Sequence, residues 1–376
     1  FKEMIEARLA GHHETIVWPE KTTSVPHDDP RFLVAYMSLE FGGKPKAAQE
    51  TQAKELLGKY GEKPRSFRNG LGLAIPSADQ IEILRRTVRY LIAVEQVRNK
   101  AKQHNLTDEQ KGQLREREAT EKNATEAAFL RLYMEVWLPR VENGGVGVEK
   151  IAFGGRTPQT TLNERKEAMI HERITELLTQ THKSVYPTVV PSKIVELFKL
   201  GEGTPPKQGI RIAEVVEGFF SFLGFTRLLS DAAIRKAIVR GVQEKTFGYT
   251  AGGVPEIGSD GKYQVAAAKV RFETTIPEDE VDLESGFIML PQAIPLAAPA
   301  PAPIPVPPQP GTPPPAPQPG VPSTPTPSAS QKEVRLSFLA DRTQLYTAWN
   351  AIANLADMAG KIEVTVHAES EKGFDK

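Results

Sequence analysis

The chain has no cysteine. That absence removes disulfides, thiolate metal ligands and thiol nucleophiles together, and is compatible with a reducing compartment. An excess of one charge is also missing: 47 Lys and Arg stand against 47 Asp and Glu in 376 residues. No global field therefore draws the chain to nucleic acid or to a membrane surface. No apolar run approaches the roughly 18 residues that a spanning helix needs, so nothing is expected to cross a bilayer and a cytoplasmic location is expected. Several catalytic signatures are absent too. There is no Gly-x-x-x-x-Gly-Lys-[Ser/Thr] phosphate loop, and Gly42-Gly43-Lys44 lacks both the leading Gly and the hydroxyl. Gly70-x-Gly72 has no third glycine at the dinucleotide offset, and no Gly-x-Ser-x-Gly elbow occurs. The seven histidines show no metal-ligand spacing; His12-His13-Glu14 is not His-Glu-x-x-His. No metal site is expected. The chain opens at Phe1 with no initiator Met and no signal peptide, and reads as a fragment whose upstream part is missing.

The residues that are present suggest two or three domains. A short helical pattern opens residues 1–30, followed by a polar, Pro-containing loop. Phe32-Leu33-Val34-Ala35-Tyr36-Met37 is a buried strand by its continuous apolar run. Residues 46–60 are helix-like. Asn69-Gly70-Leu71-Gly72-Leu73-Ala74-Ile75-Pro76 is a second strand, after which Ser77 or Asp79 caps a long helix with Ile81, Leu84, Val88, Leu91 and Ile92 on its apolar face. Alternating strands and helices predict an α/β layer. Two strands are too few for a stable sheet, so the missing upstream sequence is expected to supply the others. Thr107 and Gln110 fit a capping box that starts a polar helix. The pattern turns apolar from Phe129 to Trp137, and Pro139 is expected to stop it. Residues 140–160 read as a Gly-rich loop.

Residues 163–181 and 192–200 are expected to be helical. Residues 212–223 form an apolar helix ended by Gly224. Ser230 or Asp231 then caps a further helix on which Ile234, Ile238 and Val242 share one face. Strands are expected near 247–250, 263–273 and 286–290, with an acidic patch of Glu278, Asp279, Glu280, Asp282 and Glu284 before the last. Helix, turn, helix and hairpin is the order of a winged helix-turn-helix. Residues 291–331 hold 17 of the 31 prolines and favour polyproline II, so this is a disordered linker. A small β-α-β tail follows at 332–376.

Two groups of side chains stand out. Arg65 and Arg68 precede the second strand, where a guanidinium offers paired donors to a phosphate. The other reading of the pair is a solvated loop. Between Arg227 and Tyr249 there are five basic and two acidic residues. Arg235, Lys236, Arg240, Gln243 and Lys245 are the candidates for duplex DNA, with Gln243 the sole candidate base reader. Against this, many winged helices only dock proteins, and the acidic patch would repel phosphate.

The run Arg65-Ser66-Phe67-Arg68-Asn69-Gly70-Leu71-Gly72-Leu73-Ala74-Ile75-Pro76-Ser77-Ala78-Asp79 resembles a segment of the large AAA-type ATPases of prokaryotic anti-phage islands that carry domain of unknown function family 499. Arg86, Arg89 and Tyr90 continue the likeness. So do residues 210–250, ending Gly241-Val242-x4-Phe247-Gly248, and the tail with Ala356-Asp357-x-x-Gly360. The likeness covers the family's C-terminal half. It implies ATP and Mg for the full-length protein only, hydrolysed by an upstream phosphate loop; in that complete ATPase the position of Arg65 and Arg68 beside a strand makes either the candidate catalytic arginine finger, acting in trans. It also implies antiviral defence on DNA beside partners such as a methyltransferase or helicase, and a homo-oligomer is compatible with it. The expected fold is multi-domain α/β plus α+β. It comprises a partial AAA-like core (1–97), a helical arm and loop (98–160), a winged-helix domain (161–290), the linker (291–331) and the tail (332–376). The rival reading is a non-catalytic scaffold whose winged unit and tail dock proteins.

Overall fold

The computed structural model describes residues 1–154 and 162–295. Nearly all of the Pro-rich linker and the whole β-α-β tail lie outside the described residues. The chain begins with helix α1 (Lys2–Leu9) and a short strand β1 (Thr15–Val17). Strand β2 (Leu33–Tyr36) follows, then a one-turn helix α2 (Leu39–Gly42) and helix α3 (Lys46–Gly58). A minimal hairpin, β3 (Lys59–Tyr60) and β4 (Lys63–Pro64), leads to β5 (Leu71–Pro76). Helices α4 (Ala78–Asn99) and α5 (Asp108–Leu132) form a long antiparallel pair before strands β6 (Tyr133–Glu142) and β7 (Gly145–Ala152).

These strands make one five-stranded sheet in the order β1-β2-β5-β6-β7. β1, β2 and β5 run parallel, while β6 and β7 are antiparallel additions. The sheet is mixed and covered on both faces, which is why β2 and β5 read as unbroken apolar runs. Phe32, Val34 and Tyr36 point into a core with α1, α4, α5 and the later helix α6 (Ile170–Glu176). Leu33, Ala35 and Met37 point the other way, with Leu56 and Leu57 of α3 and Trp137 of β6.

Five strands of the sheet thus come from within this chain, where the sequence suggested only two. Downstream, the apolar run at 129–137 is divided rather than helical throughout. α5 ends at Leu132, and Tyr133 opens a strand that carries Pro139 opposite Val148. The signal for this lay in Asn143-Gly144. Both residues take positive φ, 48° and 77°, and join Glu142 to Gly145 as a two-residue hairpin. The expected loop at 140–160 thus contains β7, and the arm assigned to 98–160 is half helix and half sheet. The Thr107–Gln110 capping box is present, with both reciprocal bonds formed. Neither Ser77 nor Asp79 caps α4, and the apolar stripe of α4 stops short, leaving Ile92 exposed. The polar α5 is partly buried. Glu126 is buried, accepts a two-pronged bond from Arg8 and also accepts from the Ala168 N–H, fixing α1 against α5.

After α6, a π-helical turn spans Leu177–Thr181. The chain then builds helix α7 (Pro191–Leu197), β8 (Gly209–Arg211), α8 (Ile212–Ser221), α9 (Ala232–Gln243), β9 (Gly248–Thr250) and β10 (Phe287–Met289). β10 lies between β8 and β9, antiparallel to both. Val215 and Phe219 of α8 and Ile234, Ile238 and Val242 of α9 fill a second core. Asp231 precedes α9 with helical backbone angles and makes no side-chain cap bond, contrary to the expected cap. Residues 263–273 form no strand. β9 is only three residues long and gives Arg271 a single bonded pair with Tyr249 instead of a ladder. No helix among the described residues is long and apolar enough to cross a membrane.

Two glycines separate helix propensity from packing. A Cβ at Gly241 would lie 2.2 Å from Phe247 Cζ, whereas one at Gly112 of α5 would meet nothing within 4 Å. Gly→Ala in an open helix stabilises by about 1 kcal/mol, but overpacking a core costs about 1–3 kcal/mol. Urea denaturation should therefore show Gly112→Ala raising stability and Gly241→Ala lowering it.

Candidate functional site

Arg65 stands in the loop after β4, and its side chain turns inward. Only 2% of the residue is exposed. Nε donates to the Leu56 carbonyl at 3.2 Å, Nη1 to those of Val25 and Pro26 at 3.1 and 2.6 Å, and Nη2 to that of Thr22 at 3.0 Å. Burial pulls its pKa down to about 10. A buried guanidinium is tolerable because its fork satisfies carbonyls that would otherwise be orphaned. This geometry spends the donors that a phosphate finger would need on main-chain carbonyls of the chain itself. Arg68 is half-buried and donates from Nε to the Ser221 carbonyl at 3.1 Å, which directs it to the end of α8. Its neighbour Asn69 is 1% exposed and donates from Nδ2 to the carbonyls of Phe219, 2.8 Å, and Phe225, 3.3 Å. The Arg-Asn-Gly turn is thus a bolt between the two cores.

The candidate DNA residues on and after α9 diverge. Arg235 turns back to the carbonyls of Glu278, 3.3 Å, and Val281, so the acidic segment folds onto this helix. Arg240 pairs with Glu244 at 2.6 Å, and Lys245 with Glu273 at 2.6 Å. Lys236 and Gln243 are exposed. The Tyr249 hydroxyl donates to the Glu280 carbonyl and accepts from the Asp282 N–H, which secures the acidic segment from its other side. The Asp282 carboxylate accepts from Ser285, hydroxyl and N–H, and from the Glu284 N–H, and these bonds hold its pKa below the usual range. Part of the acidic patch is therefore internal turn chemistry.

The Gly42-Gly43-Lys44 segment does not form a phosphate loop. The main-chain N–H groups of Gly42, Gly43 and Lys44, which a phosphate loop would aim at the ligand, donate within α2 to Ser38, Leu39 and Phe41. Lys44 Nζ donates to Gln52 at 2.8 Å. A cleft of about 550 Å³ does lie where β5 ends and α4 begins, lined by Gly43, Lys44, Lys46, Gln49, Pro76 and Ser77. That is where open α/β sheets bind ligands.

A second cavity, about 520 Å³, has a denser set of chemical groups. The turn after α1 is tied by Thr15, whose N–H and hydroxyl both donate to the His12 carbonyl, and it presents His12 and Glu14. α6 presents His171 and Glu172. His171 Nε2 lies 3.0 Å from Glu14 Oε1, His12 Nε2 lies 3.1 Å from Glu172 Oε1, and the two imidazoles are 4.7 Å apart. On its far side, His171 Nδ1 lies 2.9 Å from the buried Tyr36 hydroxyl. Burial pushes His171 down, against the opposing charge of Glu14. Burial would raise Glu14, but its own backbone N–H and the charges of His171 and His12 hold it below its ordinary value. Burial also lifts the Tyr36 phenol well above its usual range. None of these residues was singled out from sequence spacing as a site. His12 and His171 are brought together by the parallel sheet and Glu126, and no local motif records that. Compared with family models, curated proteins and solved structures, the chain matches none.

The contrast between the two arginines is measurable. Arg65→Ala leaves four carbonyls without a donor and should cost at least about 2 kcal/mol, whereas Arg68→Ala should cost about 1 kcal/mol. Chemical denaturation of both variants checks this. Near-zero cost at Arg65 would return it to the role of a free finger.

Proposed function

We propose that this chain is the non-catalytic C-terminal portion of an AAA-type ATPase, and that its second core belongs to a winged helix that docks a partner protein. Helix α7, strand β8, helices α8 and α9, then β9 and β10 with β10 central is the strand and helix order of that unit. The α/β sheet with a cleft at the end of β5 suits the expected core portion, and a cytoplasmic setting suits both. The observation that carries the docking reading is the fate of the α9 cations. Three of the five candidates are tied to groups of their own unit, and the one from Arg235 draws an acidic loop onto the helix.

A helix that reads DNA must offer cations and polar groups together at the groove. Here Lys236 and Gln243 are exposed, while Arg235 is turned onto the acidic segment and Arg240 and Lys245 are paired with glutamates. Each phosphate neutralised contributes about −0.9 to the slope of log K against log salt. Fluorescence anisotropy of the whole chain with duplex DNA should therefore give no binding, or a slope no steeper than about −1. A slope near about −2.7, flattened by combined Arg235→Ala, Lys236→Ala and Arg240→Ala, would favour duplex DNA as the partner instead. The same preparation should turn over no ATP above a buffer blank, because its loop N–H groups are engaged.

A further inference from the structure

We propose that His12, Glu14 and His171, with Glu172 beside them, bind one divalent transition-metal ion of the zinc class at the floor of the cavity between the α1–β1 turn and α6. This goes beyond the docking function and does not depend on it.

The donor set comes first. Two imidazoles and a carboxylate offer neutral nitrogen and anionic oxygen, which suits borderline ions such as Zn²⁺ better than Ca²⁺ or Mg²⁺. One donor atom from each of His12, Glu14 and His171 lies within 4.8 Å of the others. Glu14 Oε1 is 3.0 Å from His171 Nε2 and 3.5 Å from His12 Nδ1. A tetrahedral ion with bonds of about 2.0–2.1 Å places its ligands about 3.4 Å apart. Glu14 thus stands near that spacing from both imidazoles, and the wider gap between the two histidine donors, up to 4.8 Å, closes as His12, partly exposed, turns toward the ion.

The surroundings fit a cation as well. His171 is fixed from behind by the buried Tyr36 hydroxyl, which is able either to donate or to accept. When Nε2 carries a metal, Nδ1 keeps the proton and donates it to the Tyr36 oxygen, the outer contact that orients a ligand histidine. The Glu172 carboxylate has one oxygen toward His12, while its other, buried oxygen has no hydrogen-bond partner. Two carboxylates with two neutral imidazoles leave a net negative charge. Arg31 at the mouth is itself paired with Asp29, at 2.8 and 2.6 Å, so that ion pair adds no net positive charge to the cavity. His171 is buried, whereas His12 and Glu14 are each about a third exposed toward the cavity. The coordination is therefore open on that side, as in sites that admit water or a ligand.

Without an ion, the Tyr36–His171–Glu14 chain is already a satisfied hydrogen-bond relay, and this is the reading the experiment must defeat. The whole chain is stripped with a chelator, reloaded with Zn²⁺ and counted by elemental analysis, then titrated with Co²⁺ followed by visible absorption. One equivalent is expected, with the absorption of a low-coordinate cobalt–imidazole site. Tyr36→Phe keeps the ring and removes the outer contact, and should weaken binding by about 10–100-fold. His12→Ala and Glu14→Gln, both partly exposed, should weaken it further while the far-ultraviolet spectrum is unchanged. His104→Ala, on an exposed loop, should have no effect. Sub-stoichiometric zinc, or binding that survives His12→Ala or Glu14→Gln, would overturn the proposal.

Discussion

The Asn69 carboxamide donates to two main-chain carbonyls, Phe219 and Phe225, on either side of the α8 terminus, from a position buried at the head of β5. Around it Arg68 holds the Ser221 carbonyl, and Phe220 packs so closely on Gly70 that a Cβ there would lie 2.8 Å from its ring. Only a glycine admits this approach. The contact is reinforced at two more places. Phe32 and Asp231 exchange main-chain bonds across the boundary with Leu229 and Pro30, and Arg227 reaches the Pro139 carbonyl and Glu149 on the sheet. The second core therefore packs on the ends of the sheet's strands rather than hanging as a tethered module. Both belong to one compact unit.

This constraint changes what the Arg-Ser-Phe-Arg-Asn-Gly segment means. Its arginines invited a phosphate-binding reading because a guanidinium fork suits phosphate. The same fork suits main-chain carbonyls, and sequence does not distinguish the two partners. Arg65 gathers carbonyls from three parts of the first sixty residues, while Arg68 and Asn69 gather them from α8.

The α/β layer was legible because β2 and β5 are buried on both faces and so carry continuous apolar runs. The helices α4, α8 and α9 were legible from their periodicity. Strands β6 and β7 were not, because Phe129 to Trp137 satisfies a helix and a strand equally, and only Asn143-Gly144 marks the hairpin. Side-chain caps failed at α4 and α9, where Ser77 and Asp231 leave the task to main-chain bonds. The His12–Glu14–His171 cluster was out of reach for a different reason. Its members lie on two segments that meet only after β1 joins β2 and Glu126 ties α1 and Ala168 to α5. Local spacing has no bearing on such a site.

The claim that one turn binds two cores into a single unit is tested by native-state hydrogen exchange with mass spectrometry on the whole chain and on Asn69→Ala. In the unaltered protein, amides of β5 and α8 should exchange through a shared opening. Removing the carboxamide should lower protection in α8, α9 and β10 by about 2 kcal/mol, the cost of two unmet carbonyls, while protection in β2 and α3 stays. Separate openings of β5 and α8 in the unaltered protein, or unchanged protection of α8 in the variant, would contradict the account.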